Sequence, residues 1–203
     1  MPGLIEPTRN EENPISVFVS WFDAAEAAEL NDPEAASLAT IGEDGVPGAR
    51  MVLVKKIRQG DFVFFTNCRS RKGADLLYSD KVSLLFHWKS LRRQVKVSGF
   101  AVPVSPEEAD DYFAGRHRSS QVSAWASDQS SPLVSQEKLN ATVREYEGKF
   151  AGKPVPRPEH WSGFRVVPLS IEFWQHRPSR LHRRVEFNRK TVDSDWEARY
   201  LNP

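Results

Sequence analysis

A single cysteine, Cys68, is all the sulfhydryl chemistry the chain carries. That excludes an intrachain disulfide and any cysteine-rich zinc or iron–sulfur site, and it points to a reducing compartment. Charge of one sign is lacking as well: 28 Lys and Arg stand against 27 Asp and Glu, a net of +1. No global field draws such a protein to nucleic acid or to an anionic membrane, so any anion it binds must be held by a local cluster. Long apolar runs are absent; none approaches the ~18 residues of a membrane helix, and the Met-Pro-Gly-Leu-Ile-Glu start has neither a basic nor an apolar signal region. The expectation is a soluble, cytoplasmic protein without nucleic-acid or membrane partners. Phosphate-loop, Rossmann glycine, nucleophile-elbow and zinc-protease motifs are all missing, which lowers nucleotide hydrolysis, dinucleotide binding and proteolysis as functions. The five histidines, His87, His117, His160, His176 and His182, lack ligand-like spacing, and no metal is expected.

What is present suffices for a core, since Leu, Ile, Val and Phe make up about a quarter of the 203 residues. Residues 1–12 are polar, carry two prolines and read as a loose arm; residues 13–203 read as one domain. Asn13-Pro14 has the form of an N-cap and first helical residue, and Ile15, Phe18, Phe22 and Ala25 continue at helical spacing through Leu30. Strands follow over Ser37–Ile41, Ala49–Lys55 and Phe62–Thr66, joined by turns at Glu43-Asp44-Gly45 and Arg58-Gln59-Gly60-Asp61. Ser70 to Ser79 reads as a short helix capped by Ser70, with Leu76 and Leu77 facing inward. Strands resume over Val82–Phe86 and around Gln94–Gly99. Ser105-Pro106-Glu107-Glu108 is a capping box opening a helix to about Ala114, its acidic residues complementing the helix dipole. A short helix over Gln121–Trp125 and a longer one over Ser135–Phe150 come next. The last forty residues return to strands at Phe164–Val167, Ile171–Gln175, Leu181–Phe187 and Trp196–Leu201. Short strands with interspersed helices and no regular βαβ alternation predict a mainly β, α+β chain: an antiparallel barrel with peripheral helices.

The chemistry resides in basic and hydroxyl clusters at element edges: Arg50 with Lys55, Ser70-Arg71-Lys72, Arg116 through Ser120, Gln129-Ser130-Ser131, and Arg180 through Arg184. Arg forks, Lys ammoniums and helix N-terminal amides favour a phosphate dianion, and the Ser70-Arg71-Lys72 helix start is the best single anchor. Taken alone, each cluster is more often a solvated face. Arg50 and Lys55 differ, because they close both ends of the apolar run Met51-Val52-Leu53-Val54 and, on a buried strand, would need partners. Trp125, Trp161 and Trp174 lie beside polar residues, which suits a planar heteroaromatic ligand, and Trp174 is the preferred contact.

In order along the chain, Arg50–Lys55, Phe64-Phe65-Thr66-Asn67, Ser70-Arg71-Lys72, Val82–Phe86, Arg93-Gln94-Val95, Ala124–Ser130, Ile171–Gln175 and Arg180-Leu181-His182 resemble the pyridoxamine 5′-phosphate oxidase family. The resemblance runs from about Ile15 to Pro203. It implies an FMN-binding split β-barrel and a homodimer with two FMN sites built from both subunits at the interface. It implies FMN contacts from Arg50, Met51, Val52, Leu53, Val54, Lys55, Phe65, Thr66, Arg71, Lys72, Gln94, Gln129, Ser130, Trp174 and Arg184. Lys55, Tyr112, Arg116 and Ser120 match residues that hold the substrate phosphate. Arg180 and His182 match the catalytic pair beside the reacting carbon, with Leu181 between them in the substrate set. The implied reaction oxidises pyridoxamine or pyridoxine 5′-phosphate to pyridoxal 5′-phosphate, with O2 as acceptor. Two alternatives stay open: an FMN oxidase of the same fold acting on another reduced aromatic such as a phenazine precursor, and a non-catalytic FMN or pyridoxal phosphate binding protein.

Overall fold

The computed structural model describes residues 7, 8 and 13–203, so most of the arm expected at 1–12 lies outside the described residues. Asn13 caps the first helix, α1 (Pro14–Ala28), by accepting the Ile15 N–H at 3.0 Å, and Pro14 sits in the first turn, where its missing N–H costs nothing. Val17, Phe18, Trp21, Phe22 and Ala25 are buried along one stripe. Phe18 meets Phe62 and Phe86 edge-on at 4.8 and 5.0 Å, and Trp21 meets Phe173 at 5.3 Å, so α1 packs on the barrel core. The helix ends two residues before the expected Leu30: Glu29 turns extended and its carboxylate accepts the Ser90 N–H at 2.9 Å, leaving Leu30 in solvent.

Eight strands follow the period-2 patterning: β1 (Ala35–Ile41), β2 (Pro47–Lys55), β3 (Phe62–Asn67), β4 (Lys81–Trp88), β5 (Arg93–Pro103), β6 (Trp161–Gln175), β7 (Arg183–Asn188) and β8 (Glu197–Leu201). They hydrogen-bond in the order β3-β2-β1-β4-β5-β6-β7-β8, and β3 pairs again with β6. That second pairing closes six antiparallel strands into a barrel and leaves β7 and β8 as an extension of its wall. The expectation of an antiparallel barrel is met.

Where two strands were expected over 164–167 and 171–175, there is one, β6. Pro168 lies opposite Gly99, at the point where the β5–β6 register shifts. A Cβ at Gly99 would stand 2.0 Å from the Val167 carbonyl oxygen, so glycine is what lets the proline pass as a bulge without ending the strand. The bend divides the strand's labour. Trp161–Val166 pairs with β3 and closes the barrel, while Ser170–Gln175 pairs with β7 and carries the extension.

A further expectation fails at β2. The run Met51–Val54 is not a buried strand: Val54 is buried and Val52 half-buried against the core, while Met51 and Leu53 are 64% and 47% exposed. Alternation sends every second side chain outward, and the outer neighbours in register are small or apolar, Ala35 beside Leu53 and Ser37 between Met51 and Leu85. The outer wall over β2, β1 and β4 is thus an apolar face of the kind that marks association.

The helices lie outside the barrel: α2 (Arg71–Tyr78), α3 (Pro106–Ala114), α4 (Arg118–Ala126) and α5 (Gln136–Lys149). Ser70 and Ser105 cap α2 and α3 through their hydroxyls, as expected, and Ser135 caps α5 in the same way. In α2 Leu76 is buried, but Leu77 is 83% exposed. Neighbouring positions on a helix are ~100° apart, so a one-turn contact with the barrel accommodates one of them. No described helix is long and apolar enough to cross a membrane.

Candidate active site

Between the β2–β3 edge of the barrel and helices α3 and α4 lies a cleft of about 540 Å³. Met51, Val52, Leu53 and Lys55 come from β2; Phe65, Thr66 and Asn67 from β3; Lys72 from α2. The opposite side presents Tyr112 and Arg116 with Ser119, Ser120 and Ser123, then Ser127 and Gln129 beyond α4, and Trp161 opens β6. The Phe65 ring stacks on Tyr112 at 3.9 Å and on Trp161 at 5.4 Å, all nearly parallel. Gly163 makes room for this stack, since a Cβ there would meet the Phe65 ring at 2.7 Å.

Two cations in the cleft lack a described carboxylate partner. Lys72 Nζ donates to Gln129 Oε1 at 2.9 Å, Thr66 Oγ1 at 3.1 Å and Ser70 Oγ at 3.3 Å, all neutral oxygens. Burial, and after it the nearby Arg50 guanidinium, push the Lys72 ammonium below its ordinary value. Arg116 lies over the Trp161 ring at 4.7 Å, and its Nη1, fully shielded from solvent, has no acceptor among the described residues. A buried guanidinium N–H without an acceptor is costly, and an anion reaching it would recover that cost. Lys55, in contrast, bonds Glu34 at 3.0 Å. Burial would raise the Glu34 carboxyl, but its own backbone N–H and Lys55 together hold it below the usual carboxylate range.

A second, smaller cleft of about 220 Å³ opens on the outer wall, lined by Leu85, Gln94, Lys96, Glu172, Trp174, Arg184 and Pro203. Beyond β6 the chain makes a tight turn at Pro178–Arg180 in which Ser179 and Arg180 both take positive φ, 55° and 60°. Two consecutive non-glycine residues in that region are strained, and such strain gathers at functional sites. His182 follows; its ring lies 4.6 Å from Trp174 and 5.3 Å from His176, and its Nδ1 accepts the Arg177 N–H at 3.3 Å.

The residues singled out by sequence therefore fall into groups. The large cleft gathers Met51, Val52, Leu53, Lys55, Phe65, Thr66, Lys72, Gln129, Tyr112, Arg116 and Ser120. Gln94, Trp174 and Arg184 line the other cleft, and Arg180, Leu181 and His182 line neither. Arg50 and Arg71 turn to Asp75 at 3.3 and 3.5 Å, Arg71 also reaching Asp44 at 3.0 Å. Val54 belongs to the core, and Ser130 is exposed with φ 75°. Of the three tryptophans, Trp125 packs with Tyr146 and Phe150 instead of facing either cleft. The α4 hydroxyl Ser123 escaped the reading, although Ser119, Ser123 and the C-cap Ser127 recur at intervals of four.

Comparison with known proteins identifies the family. A family profile described as pyridoxamine 5′-phosphate oxidase matches residues 22–150, and one described as the pyridoxine 5′-phosphate oxidase C-terminal dimerisation region matches 161–203. The chain is 48% identical over 202 residues to the pyridoxine/pyridoxamine 5′-phosphate oxidase of Agrobacterium fabrum, covering 99% of this chain and 98% of that one. It is 52% identical over 190 residues to the same-named protein of Rhizobium meliloti, covering 94% and 92%. Among solved structures, PhzG from Burkholderia lata in complex with tetrahydrophenazine-1-carboxylic acid superposes with a TM-score of 0.89 at 32% identity, over 99% of this chain and 100% of that one. A pyridoxamine 5′-phosphate oxidase-related FMN-binding protein from Nostoc punctiforme, 13% identical, shares the fold with a TM-score of 0.76 over 95% of this chain and 100% of that one. With matches of that span and relatives covered almost end to end, the chain belongs to the pyridoxamine 5′-phosphate oxidase family.

Proposed function

We propose that the protein is an FMN-dependent oxidase that converts pyridoxamine and pyridoxine 5′-phosphates to pyridoxal 5′-phosphate. The observation that carries this reading is Arg116: a half-buried guanidinium whose shielded Nη1 has no acceptor among the described residues, beside Ser119, Ser120 and Ser123, on a cleft already supplied with a second cation at Lys72. The residues fit two phosphorylated ligands. Lys72, Thr66 and Gln129 would hold the cofactor's phosphate end, and Arg116, Ser120, Lys55 and the Tyr112 hydroxyl would hold the substrate phosphate. The aromatic and aliphatic walls from Phe65, Met51 and Leu53 suit a flat heteroaromatic ring, and about 540 Å³ is a usual size for a cofactor site. When bound, FMN supplies a two-electron acceptor for the hydrogen leaving the substrate carbon.

What the chain contributes is orientation. Arg116 and the α4 serines fix the phosphate end of the substrate, so the carbon to be oxidised is presented at one distance from the cofactor, and freedom lost at binding does not have to be lost in the barrier. The stacked Phe65, Tyr112 and Trp161 exclude water from one side of the cleft. Arg180 and His182 would sit beside the reacting carbon, His182 through an Nε2 left free by the Nδ1 contact to Arg177. Because these two line neither cleft of their own chain, we assign them to the site of the partner subunit, in a homodimer that pairs the apolar outer walls. Gln94, Trp174 and Arg184 complete the same shared site. With the amine substrate the balance is one O2 and one water consumed, with aldehyde, ammonia and H2O2 formed. The lone Cys68 supports a reducing compartment, and the reading takes this to be the cytoplasm.

Two measurements test the roles. With FMN-loaded protein in air, pyridoxamine 5′-phosphate is expected to give aldehyde and peroxide in equal amounts, while unphosphorylated pyridoxamine is expected to lose about 10² or more in kcat/KM because Arg116 is left unpaired. Equal turnover of the two would remove the phosphate assignment. Lys72→Met is expected to weaken FMN by about tenfold, as befits one charge-assisted contact, with little change in substrate KM once FMN is saturating. Fluorescence titration of FMN reads the first effect and steady-state kinetics the second.

PhzG keeps a second reading in view, since it superposes over the full chain and is bound to a reduced phenazine in its structure. A phenazine carboxylate could also pair with Arg116; the hydroxyls of Ser119, Ser120 and Ser123 beside it suit the several oxygens of a phosphate, and the relatives 48% and 52% identical are named for phosphorylated substrates, which supports the phosphorylated reading.

A further inference from the structure

The small cleft on the outer wall is organised around one buried carboxylate. Glu172, 7% exposed near the C-terminal end of β6, receives Lys96 Nζ at 2.7 Å on Oε2 and Arg184 Nε at 2.8 Å on Oε1. Sheet register brings the three together: Lys96 of β5 is paired with Glu172, and Arg184 of β7 with Trp174, the next residue on the same face of β6. Burial alone would raise the Glu172 carboxyl, but the hydrogen bonds from Arg184 and Lys96 outweigh it and hold the group ionised below the usual carboxylate range. Arg184 has a second tether, from Nη1 to the Asn202 carbonyl at 2.9 Å. Its Nη2 then remains as a donor without an acceptor among the described residues, on a guanidinium whose plane is fixed at two points.

We infer that Glu172 is the positioning residue of this cleft, holding Arg184 so that one guanidinium edge is presented to the cofactor, with Lys96 as the balancing cation. The assignment rests on the functional reading above and adds to it a residue that does not itself touch the cofactor. The physical argument is the cost of the alternative. A free Arg side chain loses rotamer entropy when it is immobilised by a ligand. A guanidinium already locked by a buried carboxylate has met that cost on folding, and it binds a ligand acceptor more tightly for the same contact. Glutamine at this position has one oxygen for two cationic donors, and its NH2 group would face one of them, so one tether is lost and the two cations are no longer screened from each other.

The test is a double-mutant cycle on the dimeric, FMN-loaded protein, read by FMN dissociation constants from flavin fluorescence and not by turnover. Glu172→Gln and Arg184→Ala are each expected to weaken FMN by about tenfold, and the double variant by no more than about twofold beyond Arg184→Ala alone, because the first residue acts through the second. Glu172→Asp, which retains the charge, is expected to recover part of the loss; it also serves if the glutamine variant does not fold, as thermal unfolding will show. Full affinity in a folded Glu172→Gln protein, or an effect of either Glu172 variant that multiplies with that of Arg184→Ala, would overturn the assignment while leaving the oxidase reading intact. A wild-type protein that holds no FMN would overturn both.

Discussion

Arg116→Ala is expected to lower kcat/KM for pyridoxamine 5′-phosphate by about 10² to 10³, the cost of removing one partner from a buried charged pair. FMN affinity should stay within about twofold of wild type, because the hydrogen bonds that join Lys72, Thr66 and Gln129 do not involve Arg116. Folding should be nearly unaffected or slightly improved, since the Nη1 donor has no described acceptor to lose. Among the described residues the alanine forfeits the stacking of the guanidinium on Trp161 at 4.7 Å, the 5.6 Å approach to Phe113 and the electrostatic contact with Tyr112. Initial-rate kinetics at saturating FMN, with thermal unfolding in parallel, measure all three quantities. A variant that keeps its kcat/KM would move the substrate phosphate elsewhere.

The second large effect is a gain. Arg116→Ala and Arg180→Ala proteins should each be nearly inactive, yet co-expressed they should regain about a quarter of wild-type activity per active site. With random pairing about half of the dimers are mixed. In each mixed dimer one site combines both lesions and the other combines an intact Arg116 from one subunit with an intact Arg180 from its partner. The expectation follows from the separation of Arg180 and His182 from both clefts of their own chain, together with the strained turn that holds Arg180 out from the sheet. Activity no higher than the sum of the two parents would mean that each site is complete within one subunit.

Local physics made much of the fold legible. Asn13, Ser70 and Ser105 could be read as caps because an N-cap contact spans two or three residues and needs no distant partner. Alternation located the strands for the same reason. What failed was decided by partners far along the chain. Pro168 looked like a strand end, but Gly99, on a different strand, opens the space that lets it through. Met51 and Leu53 looked buried because apolar residues usually are, whereas the barrel puts them on an outer wall.

The same division runs through the site. Clustering near Arg116 and Lys72 was visible as composition, since a phosphate needs several donors within a few residues of one another. Asp75 as the acceptor for both Arg50 and Arg71, and Glu172 between Lys96 and Arg184, join groups 12 to 76 residues apart in all but one of those pairings, and only the folded chain reveals them. The stack of Phe65, Tyr112 and Trp161 likewise draws on β3, α3 and β6. The hydroxyl face of α4 was within reach, because Ser119, Ser123 and the C-cap Ser127 recur at intervals of four, a spacing of the kind that found α1.

The central claim is that this cleft presents a phosphorylated pyridine to FMN for oxidation, and an anaerobic spectrum tests it most directly. FMN-loaded protein is mixed with one equivalent of pyridoxamine 5′-phosphate per site without oxygen, the flavin band near 450 nm is followed, and air is then admitted. The account predicts that the band bleaches, that pyridoxal 5′-phosphate appears in proportion to the flavin bleached, and that air restores the band. A flavin band unchanged by this substrate would contradict the account.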